Sequence, residues 1–151
     1  GVQTCALPIS ERTETSPLTG EQTSSSFADS FPLLIMGTAS LEALNEQLEA
    51  PIDARYFRPN LLFQTSIPFE EDNWQAIQIG EVILRKAKPC GRCRMINVNP
   101  NTGEYRTDVM RELAKIRTVK NKVILGDLYY PVQTGHIDLQ SEVKVFTTFN
   151  P

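Results

Sequence analysis

Two cysteines three positions apart, Cys90 and Cys93, stand in the run Lys88-Pro89-Cys90-Gly91-Arg92-Cys93-Arg94. Between Glu81 and Glu104 there is no acidic residue, and the interval holds Arg85, Lys86, Lys88, Arg92 and Arg94. In a chain whose formal charge is −3, this concentration of cations is a local positive field. Such a field favours a thiolate over a thiol, and the thiolate is the form that ligates metals or attacks electrophiles. The same cations suit a phosphate, held by Arg in a planar fork or by Lys as a point charge. An anionic, phosphate-bearing, metal-containing ligand would satisfy both features.

Four readings of the cysteine pair compete. Structural zinc needs four ligands, and the sequence offers one CxxC and the lone His136. A thioredoxin-like redox pair has this spacing, but that chemistry places its first cysteine at a helix N-terminus in a βαβ setting. Here Pro89 precedes the pair, and segment 93–98 partly alternates apolar and polar residues as a strand does. The blandest reading is two small residues in a turn beside solvated charges. The fourth is a bound cofactor. The residues alone leave all four open.

The elements that must position this loop are short. Segment 31–36 reads as a buried strand with Pro32 at its start. Leu41, Leu44 and Leu48 share one helical face, with Ser40 as the expected N-cap and Pro51 as the stop. Segment 56–63 reads as a strand bent at Pro59, and segment 69–74 as an acidic loop whose Phe69 and Trp74 anchor in the core. Segment 77–87 is a strand, a turn at Gly80-Glu81 and a second strand. Asn99-Pro100-Asn101-Thr102-Gly103 is a turn cluster. Met110, Leu113 and Ile116 form a helical stripe capped by Asp108, and segments 123–130 and 143–146 close the chain as strands. Many short strands, two or three short helices and no βαβ rhythm predict a mainly β, barrel-like fold.

The chain has 151 residues, 40% of them apolar and 22% charged, which suits one soluble domain with a hydrophobic core. Net acidity argues against a general nucleic-acid or membrane-surface binder. No apolar run approaches the roughly 20 residues that span a bilayer. Three cysteines are too few for a disulfide scaffold and point to a reducing, intracellular compartment. Residues 1–9 read like a translated sequencing adapter, so they and Cys5 are set aside. Segment 11–26, rich in Ser, Thr, Glu and Gln, reads as linker. The expected division is a disordered or non-native segment 1–26 and a domain 27–149, a piece of a longer protein.

Read in order, Phe57-Arg58-Pro59-Asn60, Phe69-Glu70-Glu71-Asp72-Asn73-Trp74, Ile79-Gly80, Lys88-Pro89-Cys90-Gly91-Arg92-Cys93 and Pro100-Asn101-Thr102-Gly103 resemble the MOSC domain. Phe27-Ala28-Asp29 and Ala39-Ser40-Leu41-Glu42-Ala43-Leu44-Asn45 look like the same family. That domain occurs in molybdenum cofactor sulfurases and in the mitochondrial amidoxime-reducing component. The resemblance implies a barrel-like fold that binds the molybdenum cofactor, Mo-molybdopterin, with Cys93 as the catalytic cysteine and metal ligand. It implies cofactor contacts at Arg58, Asn60, Gly91 and Arg92, and a weaker match near Ser30 and Phe31. Cys90 is left to packing or loop shape.

Two activities follow from the resemblance. One is an oxidoreductase that removes oxygen from N-hydroxylated substrates, with electrons from partner proteins of the cytochrome b5 type. The other is a sulfurtransferase in which a separate pyridoxal phosphate domain delivers sulfur to the cofactor for accepting enzymes. Arg94-Met95 leans to the sulfurase pattern, and Asn99-Pro100-Asn101-Thr102-Gly103 to the reductase, which is slightly preferred. A non-catalytic sulfur-carrier or cofactor-storage module is the third reading. Cytoplasm and mitochondrion both stay open. Each site residue keeps a bland rival: Arg58 paired with Asp53 or Glu70, Asn60 as a turn residue, His136 merely solvated. Asp72 is not expected to orient an arginine.

Overall fold

The computed structural model describes residues 11–26 and 30–148. The readings made for residues 1–9, Cys5 and Phe27-Ala28-Asp29 lie outside them. The described chain opens with an antiparallel hairpin, β1 (Glu11–Thr15) and β2 (Gln22–Ser26). The linker expectation for 11–26 is therefore corrected. Composition reports what a segment can bury by itself; it is silent on polar anchors supplied by a neighbour. At the hairpin's tip, buried Ser16 donates to the Ala87 carbonyl at 3.2 Å and accepts from the Leu18 and Thr19 amides. Glu21 accepts from the Tyr130 hydroxyl at 2.6 Å and pairs with Arg85.

Strand β3 (Leu33–Gly37) runs directly into α1 (Thr38–Asn45). Ser40 is not the cap; Gly37 holds that position. Ser40 lies buried inside the helix, donating to Glu71 Oε2 and accepting from the Phe69 amide, both at 2.8 Å. The helix ends at Asn45, well before Pro51, because the Asn45 side chain brackets Ile52 through both its N–H and its carbonyl. The single bent strand expected over 56–63 is instead a 3-10 turn (Ala54–Tyr56) and a short strand, β4 (Leu61–Phe63). Pro59 brings no N–H, and pairing resumes only beyond it. β4 lies parallel to β3 at the sheet edge.

The acidic segment forms a 3-10 turn (Glu70–Asn73) and is not wholly solvent-facing. Glu71 is fully buried and also accepts from the Gly37 amide at 3.2 Å. Asp72 does orient an arginine, taking two bonds from Arg117 at 2.7 and 2.9 Å. Trp74 is buried edge-on to Phe63 at 5.7 Å, and Phe69 packs against the core, as expected of anchors.

β5 (Ala76–Ile79) and β6 (Val82–Gly91) form the predicted hairpin. β6 continues through Lys88-Pro89-Cys90-Gly91, so most of the expected basic loop is strand. Segment 93–98, expected as a strand, contains a 3-10 turn (Arg94–Asn97). Buried Asn97 curls it there, accepting from the Met110 amide at 2.8 Å and donating to the Tyr105 hydroxyl at 3.0 Å. The next helix, α2 (Asp108–Arg117), buries Val109 and Leu113 with Met110 half-buried, whereas Ile116 is 37% exposed. The helical face is thus rotated from the one predicted. Thr107 precedes it in the cap position, and Asp108 sits in the first turn paired with Arg106.

β7 (Thr118–Val119), β8 (Lys122–Gln133) and β9 (Val143–Phe146) complete the sheet, whose order is β4-β3-β8-β6-β5-β9 with β7 on β8. This is the mainly β, curled, barrel-like architecture the sequence predicts. The β6–β8 ladder shifts register three times, and each irregularity bends the strands and raises their twist. Gly126 serves the curl as well: its φ is +67°, and a Cβ there would stand 2.6 Å from the Ile35 carbonyl.

Val82, Leu84 and Lys86 alternate onto the buried face of β6. The Lys86 ammonium lies 2.8 Å from Asp127 Oδ2 on β8 and donates to the Asp72 carbonyl at 2.8 Å. Burial pushes the Asp127 carboxyl up to about 7, against the pull of Lys86. Removing one partner of such a pair strands the other charge. Lys86→Met is expected to cost about 3–5 kcal/mol in denaturant unfolding, and Lys86→Met/Asp127→Leu to recover most of it. A double variant no more stable than the single one would refute the pairing account.

Candidate functional site

The last residues of β6 and the turn after them form one wall of a pocket of about 460 Å³. Segment 56–60 forms the second wall and the approach to β3 the third. Arg58, Asn60, Gly91, Arg92 and Cys93, the five residues singled out in the sequence, all line it. Ser30, Phe31 and Cys90 line it too, so the weaker match near β3 falls in the same place.

Arg92 is mostly withdrawn from water. Its Nε donates to the Leu125 carbonyl at 2.9 Å and Nη1 to the Phe57 carbonyl at 3.2 Å, while Nη2 lies 3.7 Å from Met36 Sδ. These acceptors come from β8, the turn before β4, and β3, so one guanidinium ties three segments to the end of β6. All three acceptors are neutral. Burial lowers the Arg92 pKa, and the ionisable groups that oppose this are the two cysteines.

Arg58 is exposed at the pocket and adopts φ +55°. A left-handed backbone at a non-glycine residue directly before a proline is strained. Its sequence rivals for a partner are engaged elsewhere: Asp53 with Arg55, and Glu70 with the Ser66 and Ile67 amides. Asn60 does more than make a turn. Its Oδ1 accepts from the Leu34 amide and its own amide donates to the Leu34 carbonyl, both at 2.8 Å. Its Nδ2 donates to no described residue. A Cβ at Gly91 would meet nothing within 4 Å, so the backbone there faces open space.

The two thiols differ. Cys93 is exposed at the pocket, just before the Arg94–Asn97 turn. Cys90 is half-buried in β6, and burial raises its thiol pKa above the ordinary value, outweighing Arg92. The expected thiolate-promoting field therefore fails at Cys90, because desolvation is the larger effect. The field is also narrower than the sequence suggests: Arg85 turns to Glu21 and Lys86 to Asp127. Cys90 sits in a strand and not at a helix start, against a thioredoxin-like arrangement. His136 is exposed, with its amide on Glu81. Sequence reasoning missed Tyr56, Ile96 and Leu128 as pocket walls, since apolar side chains that line a pocket and those that fill a core carry the same pattern.

The chemistry of this donor set suits a pterin-based metal cofactor. Among the described residues no three His, Cys, Asp or Glu side chains converge, so the chain offers no ready metal cage. It offers one accessible thiol, a neutral amide donor and cationic groups without a carboxylate in the pocket lining. Such a set fits a group that brings most of its own metal ligands. The volume lies within the usual range for small-molecule sites.

Residues 22–144 match the family model of the MOSC domain, and the chain belongs to that family. The match begins inside β2, ahead of the domain start expected at 27. The chain is 32% identical over 120 residues to mitochondrial amidoxime-reducing component 1 of Xenopus laevis, covering 74% of this chain and 35% of that protein. It is 32% identical over 123 residues to the molybdenum cofactor sulfurase of Oryza sativa subsp. japonica, covering 74% of this chain and 15% of that one. With human mitochondrial amidoxime reducing component 2 it shares 42% identity over 77 residues, 51% of this chain and 23% of that protein. The chain thus spans less than half the length of the curated relatives it matches.

The raised pKa at Cys90 keeps that sulfur a neutral thiol through neutral pH, with thiolate forming only above its ordinary range. Limited iodoacetamide treatment near neutral pH is expected to alkylate Cys93 well before Cys90, with Cys90 catching up as pH rises. Peptide mass spectrometry reads the two sites separately; equal rates near neutrality would count against the desolvated Cys90.

Proposed function

We propose that the pocket binds the molybdenum cofactor, with the Cys93 thiolate as the protein's ligand to the metal, in an oxidoreductase acting on N-hydroxylated substrates. The observation that carries this reading is convergence: Arg58 and Asn60 share one pocket with Gly91, Arg92 and Cys93, more than thirty positions away in sequence. When bound, the cofactor supplies the redox chemistry that removes the substrate's oxygen. The chain's own residues bind and orient. Arg92 holds the walls together and leaves its charge without a carboxylate, while Arg58 offers an exposed cation to the cofactor's phosphate. Asn60 presents Nδ2 to a polar heterocycle. Gly91 allows close approach, and Cys90 stays protonated and does not compete for the metal. Electron-transfer proteins of the cytochrome b5 type belong to this reading as the electron source, and a mitochondrial setting is supported by the names of the amidoxime-reducing relatives.

The sulfurase relative matches at the same identity, which supports a second reading. In it the same pocket holds the cofactor while a pyridoxal phosphate domain supplies sulfur. Full-length protein with a pyridoxal phosphate absorption band and cysteine desulfurase activity would favour this reading over the reductase. A cofactor-storage module is distinguished by loading molybdenum and showing neither activity.

Cys93→Ser in the full-length protein is expected to lose most bound molybdenum by metal analysis while keeping its fold by circular dichroism, and Cys90→Ser to retain the metal. Undiminished molybdenum in Cys93→Ser would end the ligand assignment. Arg92→Ala is expected to lower cofactor retention more than Arg85→Ala does, since Arg85 is committed to Glu21. Equal retention in the two would point to a diffuse field instead of a specific brace.

A further inference from the structure

Across the end of β6 lies a second hollow of about 680 Å³. It shares Ser30, Cys90, Gly91 and Leu128 with the candidate cofactor pocket, so the two adjoin along that wall. The β1–β2 tip contributes Leu18 and the β7–β8 turn contributes Val119, which are 54% and 46% exposed; Ile124 lies beneath them. Lys88, Lys120 and Lys122 also line the hollow, and no carboxylate does among the described residues. None of these lysines forms a salt bridge among the described residues, although eight other basic side chains do. The hollow therefore combines an apolar floor with three cations and no counter-charge among the described residues.

The turn that carries two of them is strained. Val119 pairs with Lys122, leaving a two-residue connection, Lys120-Asn121, with φ of +47° and +62°. Such turns favour Asn-Gly, and a lysine in the first position is held in a region that its Cβ disfavours. The strained residue and the hollow coincide.

We propose that this hollow is the outer, substrate-selecting part of the site, taking small amphiphiles that carry one anionic group such as a carboxylate. The apolar body packs on Leu18, Val119 and Ile124, and the anion meets Lys120 and Lys122. Its link to catalysis rests on the cofactor reading of the neighbouring pocket; its binding selectivity does not.

Calorimetric titration of the full-length protein with decanoate and with decan-1-ol tests it. Decanoate is expected to bind, with decan-1-ol about tenfold weaker. Lys120→Gln/Lys122→Gln should raise the decanoate Kd about tenfold and leave decan-1-ol unchanged, while Lys144→Gln changes neither. Cys93→Ser should keep decanoate binding as it loses molybdenum, so failure of the cofactor reading shows as retained metal and leaves the hollow's selectivity standing. Equal affinity for the two probes, or no binding of either, would overturn the proposal. So would a double lysine variant that loses molybdenum with its decanoate Kd unchanged, since the anion would then be the cofactor's own phosphate.

Discussion

A half-buried guanidinium whose acceptors are two carbonyls and a thioether is hydrogen-bonded but not neutralised. Arg92 is in that state, and the shape of the pocket follows from it. The carbonyls of Leu125 and Phe57 replace water as acceptors, which offsets part of the cost of burial and fixes where β8 and the turn before β4 sit. The charge persists. No carboxylate lines the pocket among the described residues, so the site favours an anion brought from outside. Geometry and electrostatics are therefore set by the same side chain.

A second buried charge, Lys86, holds the sheet that presents Arg92. It joins β6 to β8 through Asp127 and to the Glu70–Asn73 turn through the Asp72 carbonyl. Asp72 in turn holds Arg117 at the end of α2, whose guanidinium lies over the Phe69 ring at 4.2 Å. Helix, turn and central ladder are thereby connected by polar contacts beneath the apolar core. Buried pairs of this kind add little net stability over well-packed apolar groups. Lys86 meets Asp127 beside one of the register shifts in the β6–β8 ladder, so the pair ties the two strands together where their regular pairing is interrupted.

The elements with strong local periodicity were legible in the sequence. The β5–β6 hairpin, the strand before α1 and the Asn99–Gly103 turn rest on alternation and turn chemistry, which are local properties. What failed was decided at a distance. The β1–β2 hairpin is ordered by Ser16 and Glu21 docking on residues 64 to 109 positions away. Ser40, a plausible cap, is buried because Glu71 needs a donor, and segment 93–98 curls because Asn97 serves both Tyr105 and α2. At the site, the family motifs named the residues that meet in the pocket. The environments of its two thiols were not readable, since a run of basic letters does not say which cations are already paired.

A count of nearby positive residues treats Cys90 and Cys93 alike, and on that ground either could be the thiolate. The fold separates them by solvent and not by charge. Cys90 lies along a strand whose packing withdraws it from water, and removing water penalises the anion more than Arg92 rewards it. Cys93 stands past the end of the ladder, exposed at the pocket. A ligand able to bind either sulfur therefore reaches the exposed one more readily. The three-residue spacing sets one half-buried thiol in the wall and one exposed thiol at the opening.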